Sequence, residues 1–172
     1  GTKGKTSVAF MIKHILESAG IKTGIIGTVF TGYGDKLKKS KATTPESLEL
    51  QKILREMADN GCKAVVMEVS SQGLMLKRVH GIDFNIGVFT NISPDHIGKN
   101  EHRDYQHYID CKGMLFDMCK RAVINGDDKN WHSIVRNKNL KLQHETGPIE
   151  ELMLKVINAP EKKGFRKFIE VR

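Results

Sequence analysis

The chain begins with Gly1-Thr2-Lys3-Gly4-Lys5-Thr6, a short stretch with two glycines directly before a predicted helix. Glycines let the backbone N–H groups of a tight loop converge on one point, and a helix that follows presents the positive end of its dipole there. Residues 5–19 carry apolar side chains at helical spacing, and Gly20 follows as a stop signal. A glycine loop directly before an amphipathic helix predicts a phosphate-binding loop, and with it a nucleotide-binding α/β fold.

Gly4-Lys5-Thr6 matches the second half of the phosphate-loop pattern GxxxxGK[ST]. In that pattern the lysine contacts the β- and γ-phosphates of ATP, and the hydroxyl of the last residue ligates Mg²⁺. The first glycine and its strand would lie before Gly1, so we expect the chain to be a fragment that begins within the motif. The alternative is a chance glycine turn in front of a helix.

Apolar strands alternate with helices along the chain. The predicted strands are 21–30, 64–69, 84–90 and 122–125, and the predicted turn is 31–35. The predicted helices are 5–19, a second from Pro45 to the stop at Asn60-Gly61 with Thr44 as its N-cap, 105–119, and a short one at 149–157. This alternation predicts an α/β, three-layer fold of the P-loop type, with a mostly parallel sheet and helices on both faces.

Polar residues follow the predicted strands, at the edge where ligands gather in parallel sheets. Glu68 ends one strand and can hold Mg²⁺, or it is a solvated acid at a strand end. Asp95-His96 follows another strand, although a single histidine is more often structural than a ligand. By spacing alone, Lys112 is a surface lysine with a buried stem, and Arg78 either binds phosphate or caps a helix.

Composition narrows the function classes. The net charge is +8 with a pI near 9.4, but the positive residues are dispersed and aromatic residues make up only 6%. A nucleic-acid partner is therefore not expected, and an anionic small-molecule substrate explains the charge equally well. No apolar run is long enough to span a membrane, so no membrane partner is expected. The three cysteines lack metal or disulfide spacing and indicate free thiols in a reducing cytoplasm.

Six segments occur in an order that resembles a known family. They are Gly1-Thr2-Lys3-Gly4-Lys5-Thr6-Ser7, Thr43-Thr44-Pro45, Met67-Glu68-Val69-Ser70-Ser71, Arg78-Val79, Phe89-Thr90-Asn91-Ile92-Ser93-Pro94-Asp95-His96 and Tyr108-Ile109-Asp110-Cys111-Lys112. Together, over roughly residues 1–128, they resemble the central ATP-binding domain of the Mur ligases, in the branch that extends UDP-MurNAc-dipeptide by one amino acid during peptidoglycan synthesis.

The resemblance implies an ATP-dependent carboxylate–amine ligase that works through an acyl phosphate and whose cofactors are ATP and Mg²⁺. Lys5 would stabilise the transferred phosphoryl group, and Lys112 matches a lysine that CO₂ carbamylates to support a second Mg²⁺. The implied metal ligands are Thr6, Glu68 and His96. The implied nucleotide-binding residues are Gly1, Thr2, Lys3, Gly4, Lys5, Thr6, Ser7 and Asn91. The implied residues for binding the UDP-MurNAc-peptide are Thr43, Thr44, Ser70 and Arg78. The implied partners are that dipeptide and lysine or diaminopimelate, and we expect a cytoplasmic monomer.

Departures from the family pattern bear on fine substrate contacts. Ala42 stands where asparagine is frequent, Gln72 where histidine is common, and Leu76 where glutamine is often found. We predict a Mur ligase central domain at 1–137, incomplete at its first strand, and leave 138–172 unassigned, as the remainder of that domain or another segment. The flanking domains for UDP and the incoming amino acid are not found, so the fragment alone is expected to be inactive. The alternatives are a folylpolyglutamate or cyanophycin synthetase-like ligase, and a nucleotide-binding fragment without activity.

Overall fold

The computed structural model describes residues 1–95, 97–98 and 101–135. These residues form two compact units. The first unit is Gly4–His80, and the second unit consists of Gly1–Lys3 and the described residues from Gly81 onward. The helix predicted at 149–157 and the unassigned segment 138–172 lie outside the described residues.

The first unit is a small mixed sheet with helices packed on it. Its elements are α1 (Lys5–Ser18), β1 (Thr23–Ile26), β2 (Phe30–Tyr33), β3 (Lys38–Lys39), α2 (Ser47–Asp59), β4 (Ala64–Met67) and α3 (Ser71–Met75). The strand order is β3-β2-β1-β4, with β1 and β4 parallel and the other neighbours antiparallel. Met57 of α2 lies against Gly24 of β1, where a Cβ on residue 24 would overlap the Met57 sulfur. Helix α1 packs on β1 and β4.

The two ends of α1 confirm the predicted glycine signals. Gly4 is the N-cap residue with φ of 78°, and Gly20 follows the helix with φ of 74°. Both values are left-handed, which glycine adopts without the steric penalty that a Cβ would bring. The apolar stripe of the helix buries Val8, Ala9 and Leu16. The helix predicted at 5–19 is therefore confirmed to within one residue.

The single strand predicted at 21–30 is wrong in its second half. The chain turns after β1, and the Gly27 N–H donates to the Phe30 carbonyl at 3.1 Å across the turn. Strand β2 then returns antiparallel, so that Gly24 pairs with Tyr33. The segment predicted as a turn, 31–35, is therefore a strand as far as Tyr33. Residues 23–30 contain only apolar residues, threonine and glycine, so apolar periodicity does not mark the turn at Thr28-Val29.

The predicted start of α2 is also wrong. The helix begins at Ser47 with Glu46 as its N-cap residue, and not at Pro45 with Thr44 as the cap. The Thr44 hydroxyl is used elsewhere, in hydrogen bonds to residues 68 and 70 that are described below. The end of α2 is as predicted, since Asn60 is the C-cap residue and Gly61 has φ of 80°.

The second unit is built on a pair of parallel strands. Its elements are β5 (Phe84–Phe89), α4 (Tyr105–Asp117), β6 (Cys119–Ile124) and α5 (Trp131–Ile134). Both strands and α4 were predicted, although β6 begins three residues earlier than expected, and α3 and α5 were not predicted. The core of the second unit consists of Phe89, Ile92, Tyr108, Ile109, Phe116, Ile134 and Val135.

Both units contain parallel strands and helices, which confirms the α/β class, while strands β1, β2 and β3 add antiparallel pairs. None of the helices in the described part of the chain has the length and apolar content needed to cross a bilayer.

Candidate functional site

The Glu68 carboxylate lies directly after β4 in the first unit and is only 3% exposed. Its Oε2 accepts a hydrogen bond from the Thr6 hydroxyl at 2.9 Å and another from the Thr28 hydroxyl at 3.1 Å. Its Oε1 accepts from the Thr28 backbone N–H at 2.8 Å. The interpretation of Glu68 as a solvated strand-end acid is therefore wrong. Thr6, predicted as a metal ligand, is in direct contact with it.

The backbone of β1 makes room for this carboxylate. The Glu68 N–H donates to the Ile26 carbonyl at 2.8 Å, which continues the parallel pairing of β4 with β1 by one residue. A Cβ on Gly27 would overlap Glu68 Oε1. Position 27 therefore has to be glycine if the carboxylate is to lie against the end of β1.

Thr28 is a member of this cluster that the sequence did not predict. Its hydroxyl lies 3.0 Å from the hydroxyl of Thr43, a predicted substrate-binding residue. The cluster thus presents three hydroxyls and one carboxylate, all hard oxygen donors of the type that Mg²⁺ prefers. No motif marks Thr28, because its role follows from the hairpin that the sequence pattern concealed.

A second cluster of the first unit joins three of the predicted substrate-binding residues. Thr44 is 1% exposed, and its hydroxyl accepts from the Ser70 N–H at 3.0 Å. The same hydroxyl donates to the Glu68 carbonyl at 3.2 Å, or to the Ser70 hydroxyl at 3.3 Å. Ser70 in turn caps α3, since its Oγ accepts from the Gly73 N–H at 3.0 Å. These contacts tie the segment after β4 to the segment before α2.

Arg78 completes the second cluster. One guanidinium nitrogen donates to the Thr44 carbonyl at 3.2 Å, and another pairs with the Glu46 carboxylate at 2.6 Å. Within the described residues, the Arg78 Nε is buried and has no hydrogen-bond partner. Lys77, which precedes it, has φ of 55°, a left-handed conformation that is uncommon outside glycine. A buried cationic donor that still lacks an acceptor suits an anionic ligand.

The residues Gly1–Lys3 belong to the second unit and are held by the end of β5. The Asn91 side chain pairs with both backbone groups of Lys3: its Oδ1 accepts from the N–H at 2.9 Å and its Nδ2 donates to the carbonyl at 3.0 Å. The Thr90 hydroxyl donates to the same carbonyl at 2.9 Å, and the Thr2 N–H donates to the Asn91 carbonyl at 2.8 Å. A Cβ on Gly1 would overlap the Thr90 hydroxyl. Asn91 therefore positions this segment of the predicted loop.

Lys112 lies on α4 and is only 7% exposed, so its interpretation as a surface lysine is wrong. Its ammonium donates to the Gly1 carbonyl at 3.2 Å and lies 4.5 Å from the centre of the Tyr108 ring. The Tyr108 hydroxyl lies 3.1 Å from that of Thr2. Burial raises the pKa of Tyr108, and the hydrogen bond with Thr2 opposes that change only in part. Tyr108 is therefore a neutral phenol at physiological pH.

Most of the predicted residues fall into three groups. The first unit contains the cluster of Thr6, Thr43 and Glu68 and the cluster of Thr44, Ser70 and Arg78, while the second unit contains Gly1, Thr2, Lys3, Asn91 and Lys112. Gly4 caps α1, and Lys5 and Ser7 lie in its first turn. His96 lies outside the described residues. Tyr108 and Thr28 are additions that sequence reasoning missed.

Comparison with known proteins identifies the family of this chain. Residues 1–168 match the family described as Mur ligase middle domain. The chain belongs to that family, as the resemblance predicted.

Particular relatives fall within the predicted branch. A Clostridium tetani protein named UDP-N-acetylmuramoyl-L-alanyl-D-glutamate–2,6-diaminopimelate ligase is 46% identical over 79% of this chain and 28% of its own length. A Ligilactobacillus salivarius protein named UDP-N-acetylmuramyl-tripeptide synthetase is 47% identical over 74% of this chain and 26% of its own length. A solved structure of a diaminopimelate ligase with the former name superposes with a TM-score of 0.72 at 30% identity, covering 83% of this chain and 30% of that one. The chain spans less than a third of the length of the relatives it matches.

Proposed function

We propose that this chain is the ATP-binding part of a ligase that adds an amino acid to UDP-MurNAc-dipeptide. The observation that carries the proposal is the contact between the Thr6 hydroxyl at the start of α1 and the Glu68 carboxylate at the end of β4. The names of the relatives support the substrate class, and those that name the added amino acid favour diaminopimelate over lysine.

The residues of the first unit fit a magnesium ion. Oxygen ligands that are neighbours in an octahedral Mg²⁺ shell lie about 3 Å apart, because each Mg–O bond is about 2.1 Å. The Thr6 and Glu68 oxygens are 2.9 Å apart, so both can ligate one ion after the Thr6 proton turns away. Thr28 holds the carboxylate in place through its N–H. When bound, Mg²⁺ would neutralise phosphate charge and hold the phosphates in position.

The proposed reaction starts with attack by a terminal carboxylate oxygen of the dipeptide on the γ-phosphorus of ATP, which releases ADP and forms an acyl phosphate. The amine of the amino acid then attacks the acyl carbon, and the tetrahedral intermediate expels phosphate as the amide forms. Phosphoryl transfer depends mainly on positioning and on charge neutralisation. In this scheme Lys5 balances charge on the transferred group, while Gly4 exposes the first N–H groups of α1 to the phosphates.

Two further roles are part of the proposal. Thr43, Thr44, Ser70 and Arg78 bind the UDP-MurNAc-peptide, for which the buried, unpartnered Nε of Arg78 supplies a donor. Lys112 is carbamylated on Nζ by CO₂, and the resulting carboxylate supports a second Mg²⁺. The burial of Lys112 beside Gly1, a predicted nucleotide-binding residue, supports this role. We place the reaction in the cytoplasm, in agreement with three free thiols.

The proposal is tested by transplanting the chain. In the Clostridium tetani ligase, the matching segment is replaced by this chain, and phosphate release is measured with ATP, Mg²⁺, UDP-MurNAc-dipeptide and diaminopimelate. We expect release that requires both the dipeptide and the amino acid, and that is lost in the Glu68→Gln chimera. A folded chimera that binds ATP but releases no phosphate in response to the dipeptide would contradict the proposal.

A further inference from the structure

The second unit contains a cluster of metal-binding side chains that the proposed reaction does not use. His102, His107 and Cys111 each offer one ligand atom, and these three atoms lie within 4.8 Å of one another. His107 and Cys111 are four residues apart on α4, so they lie on the same face of the helix, one turn apart. His102 lies before the helix, and its side chain approaches those of His107 and Cys111.

Two of the three residues are buried, and His107 is half-buried. His102 is 1% exposed and Cys111 is fully buried. Histidine is seldom fully buried, and its ring nitrogens then need partners. The Nδ1 of His107 is also buried, and it has no hydrogen-bond partner within the described residues. A metal ion is one partner that accepts a lone pair from an imidazole nitrogen.

Hydrogen bonds hold the backbone at His102 and in the first turn of α4. The Asp104 carboxylate caps α4 by accepting the His107 N–H at 2.7 Å, which fixes the first turn of the helix. The His102 carbonyl accepts the Gly98 N–H at 3.1 Å. Ligands on fixed backbone lose little freedom when an ion binds, and this favours binding.

The donor set selects a class of metal. Two imidazole nitrogens and a thiolate suit zinc, whereas Mg²⁺ and Ca²⁺ prefer oxygen. In a tetrahedral zinc site, ligand atoms lie about 3.3–3.8 Å apart, given bond lengths of about 2.0–2.3 Å. Side-chain rotations that bring the three atoms together by about 1 Å would reach that geometry.

We propose that His102, His107 and Cys111 form a zinc site with one coordination position left for water or an exchangeable ligand. Binding replaces the Cys111 S–H proton, which passes to solvent, with a sulfur–metal bond, and the imidazoles bind as neutral rings. The proposed site shares no residue with the oxygen cluster of Glu68 and does not depend on the proposed ligase reaction. The competing explanation is simple packing, because the His102 ring also lies 5.2 Å from that of His107 and 5.0 Å from that of Tyr108.

The experiment is a titration of the 172-residue chain with Co²⁺, a spectroscopic substitute for zinc, under reducing conditions. We expect a thiolate-to-cobalt charge-transfer band that saturates at one ion per chain and is abolished by one equivalent of Zn²⁺. Cys111→Ser should abolish the band. His107→Asn should weaken Zn²⁺ binding at least about 100-fold in a chelator competition, because even outer-shell partners of a ligand contribute about 10–100-fold.

Two variants serve as matched controls. Cys62→Ser removes a thiol from the first unit, and His80→Asn removes an exposed imidazole, so both should leave the band unchanged. Circular dichroism of His107→Asn checks that the fold is kept, and this variant carries the test if Cys111→Ser does not fold. The proposal is overturned if wild-type protein gives no charge-transfer band, if Cys62→Ser removes it, or if folded His107→Asn binds Zn²⁺ as tightly as wild type.

Discussion

The Thr6 hydroxyl donates a hydrogen bond to the Glu68 carboxylate at 2.9 Å, although 62 residues separate the two in sequence. The contact joins the first turn of the helix after the loop to the residue after the parallel strand β4. It places a hydroxyl and a carboxylate where one hard cation can bind both. The proposed binding of ATP with Mg²⁺ depends on this pair.

Replacing the carboxylate by its amide tests that dependence. Glu68→Gln keeps the shape of the side chain and an acceptor for the Thr28 N–H, but removes the charge. We expect ATP affinity in the presence of Mg²⁺ to fall at least about tenfold, with little change when EDTA is present. Isothermal titration calorimetry measures both. Glu49→Gln, which removes an exposed carboxylate of α2, is the control and should bind as wild type.

Gly27→Ala moves the carboxylate without changing its charge. The new Cβ would overlap Glu68 Oε1, so the side chain has to leave its position against β1. We expect a loss of Mg²⁺-dependent ATP binding similar to that of Glu68→Gln. Gly98→Ala is the matched control, because a Cβ there meets no atom within 4 Å. Equal ATP affinity in Gly27→Ala and wild type would show that the position of Glu68 is unimportant.

Thr44→Val tests the second cluster through stability. The change removes the acceptor of the Ser70 N–H, and Thr44 itself is only 1% exposed. An unsatisfied buried polar group costs about 1–3 kcal/mol, so the free energy of unfolding in urea should fall by that amount. Thr43→Val is the control, since Thr43 is only half-buried and its hydroxyl lies within hydrogen-bond distance of the Thr28 hydroxyl. If both variants have the same midpoint, Thr44 does not hold the cluster together.

The free energy of unfolding should fall in alkaline solution, because the fold buries the Cys111 thiol and half-buries the Cys119 thiol. Burial raises the pKa of Cys119 from 9.0 to about 12, and it raises that of Cys111 as well. For Cys119, the unfolded chain loses the thiol proton near pH 9 while the folded chain keeps it, so this stabilisation is complete below pH 9 and is lost as pH rises towards 12. Each group contributes a slope of up to about 1.4 kcal/mol per pH unit. Urea unfolding at pH 8 and pH 10 measures the decline, and a Cys119→Ala variant should show a smaller one. A free energy of unfolding that rises over this interval would contradict the assignment.

Carbamylation of Lys112 has a direct signature. In ¹³C-bicarbonate, the chain should show a carbamate resonance that is absent in Lys112→Met, a variant that retains an unbranched apolar side chain in the buried position. Lys63→Met, which removes an exposed lysine, should keep the resonance. A wild-type protein that lacks the resonance at high bicarbonate would contradict the carbamylation of Lys112.

The sequence predicted those parts of the fold that depend on local signals. Gly4, Gly20 and Gly61 mark helix ends because each adopts a left-handed conformation that other residues avoid. The hairpin was missed because residues 23–30 contain only apolar residues, threonine and glycine and resemble one strand, although Gly27 stands directly before the turn. The start of α2 was misplaced because the Thr44 hydroxyl bonds to a distant segment instead of capping the helix.

At the candidate site, too, the sequence predicted the residues that local patterns mark and missed those that depend on contacts between distant segments. Thr6 and Glu68 were predicted as metal-binding residues because each stands at a point in the pattern where ligands gather. The burial of Lys112 and the role of Thr28 could not be predicted, since both depend on which segments meet in the folded chain. The resemblance to the family supplied a role for Lys112 that spacing alone did not.

The most direct test of the central claim follows one oxygen atom. UDP-MurNAc-dipeptide labelled with ¹⁸O in the carboxylate that is to be activated is incubated with the chimeric ligase, ATP, Mg²⁺ and diaminopimelate, and the released phosphate is analysed by mass spectrometry. Activation as an acyl phosphate predicts that each released phosphate carries one oxygen from the labelled carboxylate. Amide formation that releases only unlabelled phosphate would contradict the account.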